Sequence, residues 1–214
     1  MGWFNKNDSE ITRFTKAAKK GDVEAQRQLA FAYLKGEGVS QDNTKAFIWF
    51  NQAASQGDVI ALNNLGFMYR KGIGTQIDYA KAIDSFGRAA QMGNDAAQDN
   101  LAVMYMKGEG TKVDYSKAYD LFLQSAKQGN ADAQCNLGVM YMGGLGVQQN
   151  YEEALKWFTK SAAQGFAPAE VKLGILYYQG TAGVQDQNKG ILLIRSAANK
   201  GNAEASMLLR MLGQ

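Results

Sequence analysis

Few side chains in this sequence have the chemistry to act as catalysts. Histidine is absent and Cys135 is the single cysteine, which removes the commonest acid/base group at neutral pH, the commonest metal ligand and any internal disulfide. Asp99 and Asp132 lie near Tyr105 and Tyr141 in the chain, and such carboxylates are the only motivation for a weak hydrolase. No Ser-x-x-Lys motif, Lys-Thr-Gly motif or nucleophile elbow accompanies them. We therefore expect no enzyme, with no catalytic residue, no metal site and no cofactor.

Glycine-rich turns such as KGEG raise the alternative of a phosphate-binding loop. Neither Gly-x-Gly-x-x-Gly nor a Walker-type Gly-Lys-Ser/Thr motif is present, so glycines that end helices explain these turns better. The formal net charge is +3, which does not predict an extended nucleic-acid footprint. No run of 18 apolar residues indicates a membrane span. We expect a cytoplasmic protein, or a periplasmic one if a leader has been removed.

A period of 36 residues organises the whole chain. The most regular position holds Gly21, Gly57, Gly93, Gly129, Gly165 and Gly201. Within one period, Ala25, Leu29 and Tyr33 recur at the i, i+4, i+8 spacing of a helix face. A matching stripe further on, which includes Phe50, predicts a second helix. Each period is therefore a helix-turn-helix unit.

The glycines and polar residues between the stripes predict how each helix begins and ends. Gly36 and Gly57 follow a last helical turn, where glycine takes the left-handed conformation without a Cβ penalty. Asp22 and Asp42 stand where an N-cap is needed. Position 30 and its equivalents are all Ala or Gly, which predicts a close approach of the two helices of a unit. In the fifth repeat Phe166 replaces the cap and Gly183 comes one place late, so that loop should differ.

The repeats predict an all-α protein: a right-handed α/α superhelix of five 36-residue helix-turn-helix repeats flanked by two half-repeats. The predicted boundaries are a half-repeat at 9–20, repeats at 21–56, 57–92, 93–128, 129–164 and 165–200, and a capping helix at 201–212. Because neighbouring repeats supply each other's core, we expect residues 1–214 to form a single solenoid domain.

The string ADAQCNLGVMYMGGLGV, followed by YEEALKWFTKSAAQG, closely resembles the Sel-one-like repeat, a relative of the tetratricopeptide repeat. The resemblance spans nearly all of residues 10–212. It implies a superhelix whose first helices line a concave face. It also implies a role as a bacterial or eukaryotic interaction scaffold, often in signalling, envelope assembly, secretion or toxin-related settings.

On that geometry, the concave face should carry the unit positions equivalent to 24, 27, 31, 34 and 35, which include Glu24 and Ile60. The residues predicted to bind a partner there are Arg27, Phe31, Leu34, Asn63, Phe67, Arg70, Asp99, Val103, Met106, Cys135, Val139, Met142, Val171, Ile175 and Tyr178. The alternative for Phe31 and its equivalents at 36-residue intervals is packing between adjacent first helices. Leu34 and its equivalents vary more in residue type, which favours exposure of these side chains on the surface. Cys135 is expected to be a small concave-face residue or a buried hydrophobe.

A protein or peptide partner fits a groove of this kind, because methionine side chains adapt to helical or extended ligands. We expect a non-catalytic adaptor, such as a bacterial regulatory, envelope-assembly or toxin-neutralising protein. The alternatives are a small-ligand or cell-wall-fragment binder with weak hydrolase activity and a structural homo-oligomer, although a monomer is favoured. Trp3 and Phe4 precede the first predicted helix and either cover the end of the superhelix or bind a ligand.

Overall fold

The computed structural model describes residues 6–183 and 185–214, with side chains from residue 10 onward. Trp3 and Phe4 lie outside the described residues. All regular secondary structure in the described part is helical. The helices are α1 (Lys6–Ala18), α2 (Val23–Lys35), α3 (Asn43–Ser55), α4 (Val59–Lys71), α5 (Tyr79–Gln91), α6 (Asp95–Lys107), α7 (Tyr115–Lys127), α8 (Ala131–Gly143), α9 (Tyr151–Ala163), α10 (Ala167–Gln179), α11 (Gln187–Asn199) and α12 (Ala203–Met211). The predicted all-α class and the helix-turn-helix repeat are confirmed.

The predicted helix caps form as the sequence indicates. The Asp22 side chain accepts a hydrogen bond from the backbone N–H of Ala25 at 2.7 Å, and Asp42 caps α3 in the same way. Gly36 ends α2 with φ of 75°, a conformation that strongly favours glycine. Phe166 makes no side-chain cap bond to α10, as the fifth repeat predicts, and Pro168 lies in the first turn of that helix instead.

Within each unit, the core of a repeat lies between its first and second helix, as in the pairs α4 with α5 and α8 with α9. Phe50, Phe86, Phe122 and Phe158 are each 0% exposed. A Cβ atom built on Gly66 would lie 2.7 Å from the ring of Phe86, which confirms that a small residue at this position permits close helix packing. Full burial of one such ring contributes about 1.5–3 kcal/mol.

A second glycine, in the turn within each repeat, has a role that the sequence alone did not predict. A Cβ atom on Gly74 would lie 2.0 Å from the carbonyl oxygen of Asn43, at the start of the preceding repeat's second helix. This turn therefore packs directly on the neighbouring backbone. Gly183 in the fifth repeat has no such neighbour within 4 Å, which confirms that its loop differs.

The described helices form two compact units, one ending at Lys112 and the other starting at Val113. Unit 1 contains α1–α6, and unit 2 contains α7–α12. The boundary falls inside the predicted third repeat, so the single domain expected from the sequence stays a prediction. Among the residues that the structure describes, no helix is long and apolar enough to cross a membrane.

Candidate partner-binding face

In unit 1, α4 carries the most accessible apolar surface of the predicted face. Ile60 and Phe67 are each 41% exposed, and Asn63 lies between them at helical spacing. Residues three, four and seven apart share one side of a helix, so these three side chains form a continuous stripe. We call Ile60, Asn63 and Phe67 the α4 stripe. Its amide is also engaged, because Asn63 Oδ1 accepts a hydrogen bond from Asn100 Nδ2 at 3.2 Å.

The side chain of Arg27, a residue of α2, reaches the N-terminal end of α4 and pairs there with two carboxylates. Its guanidinium donates to Asp58 Oδ2 at 2.9 Å and also to Glu24 on its own helix. These bonds raise the pKa of Arg27, and the bond from Arg27 lowers the pKa of Glu24. Asp58 also caps α4 through the backbone N–H of Ala61. Arg27 is therefore a link between α2 and α4 rather than an extended surface cation.

Arg70 lies at the C-terminal end of the α4 stripe and forms a bidentate ion pair with Glu109. Nε donates to Glu109 Oε2 at 2.5 Å, and Nη2 donates to Oε1 at 3.2 Å. The Arg70 side chain is only 10% exposed, and its hydrogen bonds lower the pKa of the Glu109 carboxyl. Two parallel bonds of this kind fix both side chains in one orientation. The α4 stripe thus lies between two immobilised arginines.

The other predicted residues of unit 1 are half-buried. Phe31 packs edge-on against Phe50, with ring centroids 5.0 Å apart, which accords with a partly structural role for Phe31 and its equivalents. The remaining members of this group are Leu34, Asp99, Val103 and Met106. They offer a partner less apolar area than Ile60 and Phe67 do.

In unit 2, two of the predicted face residues are enclosed. Val171 is 0% exposed within a cluster that includes Ile194 and Ala197, and Cys135 is 6% exposed. The prediction that Val171 contacts a partner is wrong, because neighbouring helices cover its side chain. For Cys135 the sequence left two outcomes open, a small concave-face residue or a buried hydrophobe, and the structure shows the second. The other predicted residues are half-buried, namely Val139, Met142, Ile175 and Tyr178.

Unit 2 does not assemble the carboxylate and tyrosine of the hydrolase alternative. Asp132 is in the first turn of α8 and Tyr141 in the last, about 13 Å apart along the axis at 1.5 Å per residue. The Tyr141 hydroxyl instead forms a 2.8 Å hydrogen bond with Tyr119. This bond and burial raise the pKa of Tyr141 to about 12, so the phenol stays protonated at neutral pH. Among the described residues, no group of three or more acidic or cysteine side chains could hold a metal ion.

Sequence reasoning missed the acidic partners of the two arginines. Glu109 follows Arg70 by 39 residues, and one repeat earlier the same two positions hold Leu34 and Ile73. A simultaneous change from two apolar residues to two opposite charges is a signal that the pair is in contact. Asp58 is the equivalent of Asp22 in the next repeat, so the period predicts only a helix cap there, and no spacing rule within one helix connects it to Arg27.

Five consecutive matches to the Sel1 repeat model cover residues 23–58, 59–94, 95–130, 131–166 and 167–202. These matches span most of the chain, and the packing just described is that of a helical repeat. The chain belongs to the Sel1 repeat family, a class of repeat proteins that generally act as protein-interaction scaffolds.

Among solved structures, a protective antigen of uropathogenic Escherichia coli with an SLR fold is 36% identical, with a TM-score of 0.80. The match covers 93% of this chain but only 44% of the antigen. A Sel1 repeat protein from Oxalobacter formigenes is 30% identical over 87% of this chain and 75% of its own, with a TM-score of 0.83. An immunity protein from Pseudomonas aeruginosa, 24% identical over 87% of this chain and 68% of its own, shares the fold with a TM-score of 0.60. No curated protein matches the chain.

Proposed function

We propose that this protein is a non-catalytic scaffold that binds a protein or peptide partner on the face formed by its first helices. The observation that carries this proposal is the α4 stripe, where Ile60 and Phe67 are both 41% exposed on one side of a helix. Contiguous apolar surface that is left in contact with solvent commonly marks an interaction site.

The surroundings of the stripe favour a helical or extended peptide with apolar side chains. Arg27 and Arg70 are already paired with carboxylates of the same unit, so they fix the edges of the stripe without attracting a strongly acidic ligand. An amphipathic segment could place apolar residues on Ile60 and Phe67 and a polar group on Asn63. A role in regulation, envelope assembly or toxin neutralisation would use this same binding face.

A displayed library of random peptides, selected on the 214-residue protein, tests the position of the binding face. Phe67→Ala and Ile60→Ala should each weaken the selected peptides, with Phe67→Ala costing ~2 kcal/mol, which is about 30-fold in Kd. Ile48→Ala is the matched control, because Ile48 is 46% exposed but lies on a second helix, α3. Peptides that lose affinity on Ile48→Ala but tolerate both stripe substitutions would contradict the proposal.

A further inference from the structure

A cavity of about 390 Å³ lies beside α1 and α2 in unit 1. It is lined by Glu10, Ile11, Phe14, Gln28, Phe31 and Glu37, among others. The floor is therefore aromatic and aliphatic, and carboxylates stand at its edge. This cavity is separate from the α4 stripe.

The repeat explains why there is a cavity here. Phe14 precedes Phe50 by 36 residues, and the phenylalanines at this position in α3, α5, α7 and α9 are each 0% exposed. Phe86, for example, is covered by Gly66 of the first helix in its own repeat. Phe14, by contrast, is only half-buried, and it lines the cavity. The cavity therefore lies where the first helix of a repeat would pack against Phe14.

The opposite end of the chain presents a first helix with uncovered apolar residues. In α12, Met207 is 57% exposed and Met211 is 74% exposed. Met207 occupies the repeat position of Asn63, which contacts Asn100 on the next first helix. This side of α12 is therefore in contact with solvent in the described residues.

The two ends also carry opposite charges at positions that face each other inside a repeat. Glu10 stands where the five repeats have Ala46, Ala82, Ala118, Ala154 and Gly190, and Arg210 stands where they have Ala30, Gly66, Ala102, Gly138 and Gly174. In the fifth repeat these positions are in contact, because a Cβ atom on Gly190 would lie 2.7 Å from the Gly174 carbonyl oxygen. Only the terminal helices replace the small residues, and they do so with a complementary pair.

We propose that the occupant of the cavity is a second copy of this chain, whose α12 docks beside α1 and α2 with Arg210 paired to Glu10. Met207 and Met211 then lie toward the Phe31 side of the cavity. The longer side chains keep these two helices further apart than those within a repeat. Such a head-to-tail contact is heterologous, so it extends from copy to copy unless a ring closes. It goes beyond the scaffold function, which requires only the α4 stripe.

Charge reversal tests this contact sharply. Wild-type protein should show a mass in sedimentation that rises with concentration, while Glu10→Arg and Arg210→Glu should each weaken self-association by on the order of 10-fold or more, because like charges then meet. A mixture of the two variants should regain association, since each end of one then faces an opposite charge on the other. The double variant, Glu10→Arg with Arg210→Glu, should associate as the wild type does.

The matched controls are Asp120→Arg and Lys127→Glu, which make the same charge changes on exposed positions of α7. Both should associate like the wild type. A wild-type mass that stays monomeric at every concentration would overturn the proposal, and so would single variants that associate unchanged or that fail to recover on mixing. If only a Trp3→Ala/Phe4→Ala variant associates, the N-terminal segment is the occupant and the proposal is wrong.

Discussion

Gly174 and Gly190 illustrate how single atoms set the spacing of this fold. Each lies on one of two adjacent helices, and a Cβ atom on either would approach the other's carbonyl oxygen to within 2.9 Å or less. A Cβ atom on Gly190 would also lie 2.9 Å from the backbone nitrogen of Tyr178. Backbone atoms cannot rotate away as a side chain can, so this contact tolerates no added methyl group without a shift of the helices.

We therefore predict that Gly190→Ala lowers the free energy of unfolding by ~1–3 kcal/mol, the usual cost of overpacking. Gly87→Ala is the control, because Gly87 also lies inside a helix but has no atom within 4 Å of an added Cβ. There the better helix propensity of alanine should stabilise the protein by roughly 0.5–1 kcal/mol. Urea unfolding followed by circular dichroism measures both. Equal effects of the two substitutions would show that the Gly174 contact does not limit packing.

At this scale, the sequence was most informative where a residue recurs. The caps and the small residues at position 30 followed from the period, and the structure confirms them at Asp22 and Gly66. The accessibility of Val171 did not follow, because it depends on how the neighbouring helices cover one non-repeated side chain. The ion pair of Arg70 with Glu109 was missed for the same reason.

At the scale of helices, a polar pair links the first helix of a repeat to the end of the second. Gln164 Nε2 donates to Gln134 Oε1 at 2.9 Å and to the Gly129 carbonyl at 2.8 Å. In the fifth repeat, Lys200 Nζ makes the equivalent bonds to Glu170 and Gly165, at 2.8 and 2.9 Å. The ion pair of Glu170 with Lys200 thus replaces the amide pair of Gln134 with Gln164 and contacts the equivalent backbone carbonyl.

This equivalence predicts a compensated double substitution. Lys200→Gln alone should destabilise the protein by roughly 1–3 kcal/mol, because it leaves the Glu170 carboxylate, whose side chain is 8% exposed, without its cation. Adding Glu170→Gln should recover most of that loss, since the two glutamines can form the bonds seen between Gln134 and Gln164. Denaturant unfolding of the wild type, both single variants and the double variant gives the coupling energy. Additive single effects would contradict the equivalence.

The helices themselves were predictable, since the 36-residue period gives their number, order and approximate ends. The pairing between them was less so, because Gln134 with Gln164 and Glu170 with Lys200 are 30 residues apart and neither pair belongs to a single amphipathic stripe. The α4 stripe was partly predictable. Its residues were expected on one face, but their exposure relative to Val171 required the packed structure.

At the scale of the whole molecule, stability is distributed along the repeats. In helical arrays each repeat contacts mainly its neighbours, so the free energy is close to a sum of repeat and interface contributions. The described chain forms two compact units that meet in sequence at Lys112 and Val113, whereas the period predicts one continuous domain. The two descriptions differ in how far a local loss of packing should spread.

Two matched core substitutions distinguish them. Phe86 lies in unit 1 and Phe158 in unit 2, and each is 0% exposed, so truncation to alanine should cost about 3–5 kcal/mol in either place. If the units open independently, Phe158→Ala should accelerate amide hydrogen exchange mainly in 113–214, and Phe86→Ala mainly in 6–112. Exchange resolved by mass spectrometry on peptides from both units measures this. Acceleration throughout the chain by both variants would instead establish one cooperative domain, because a repeat that loses its core would then unfold every other repeat with it.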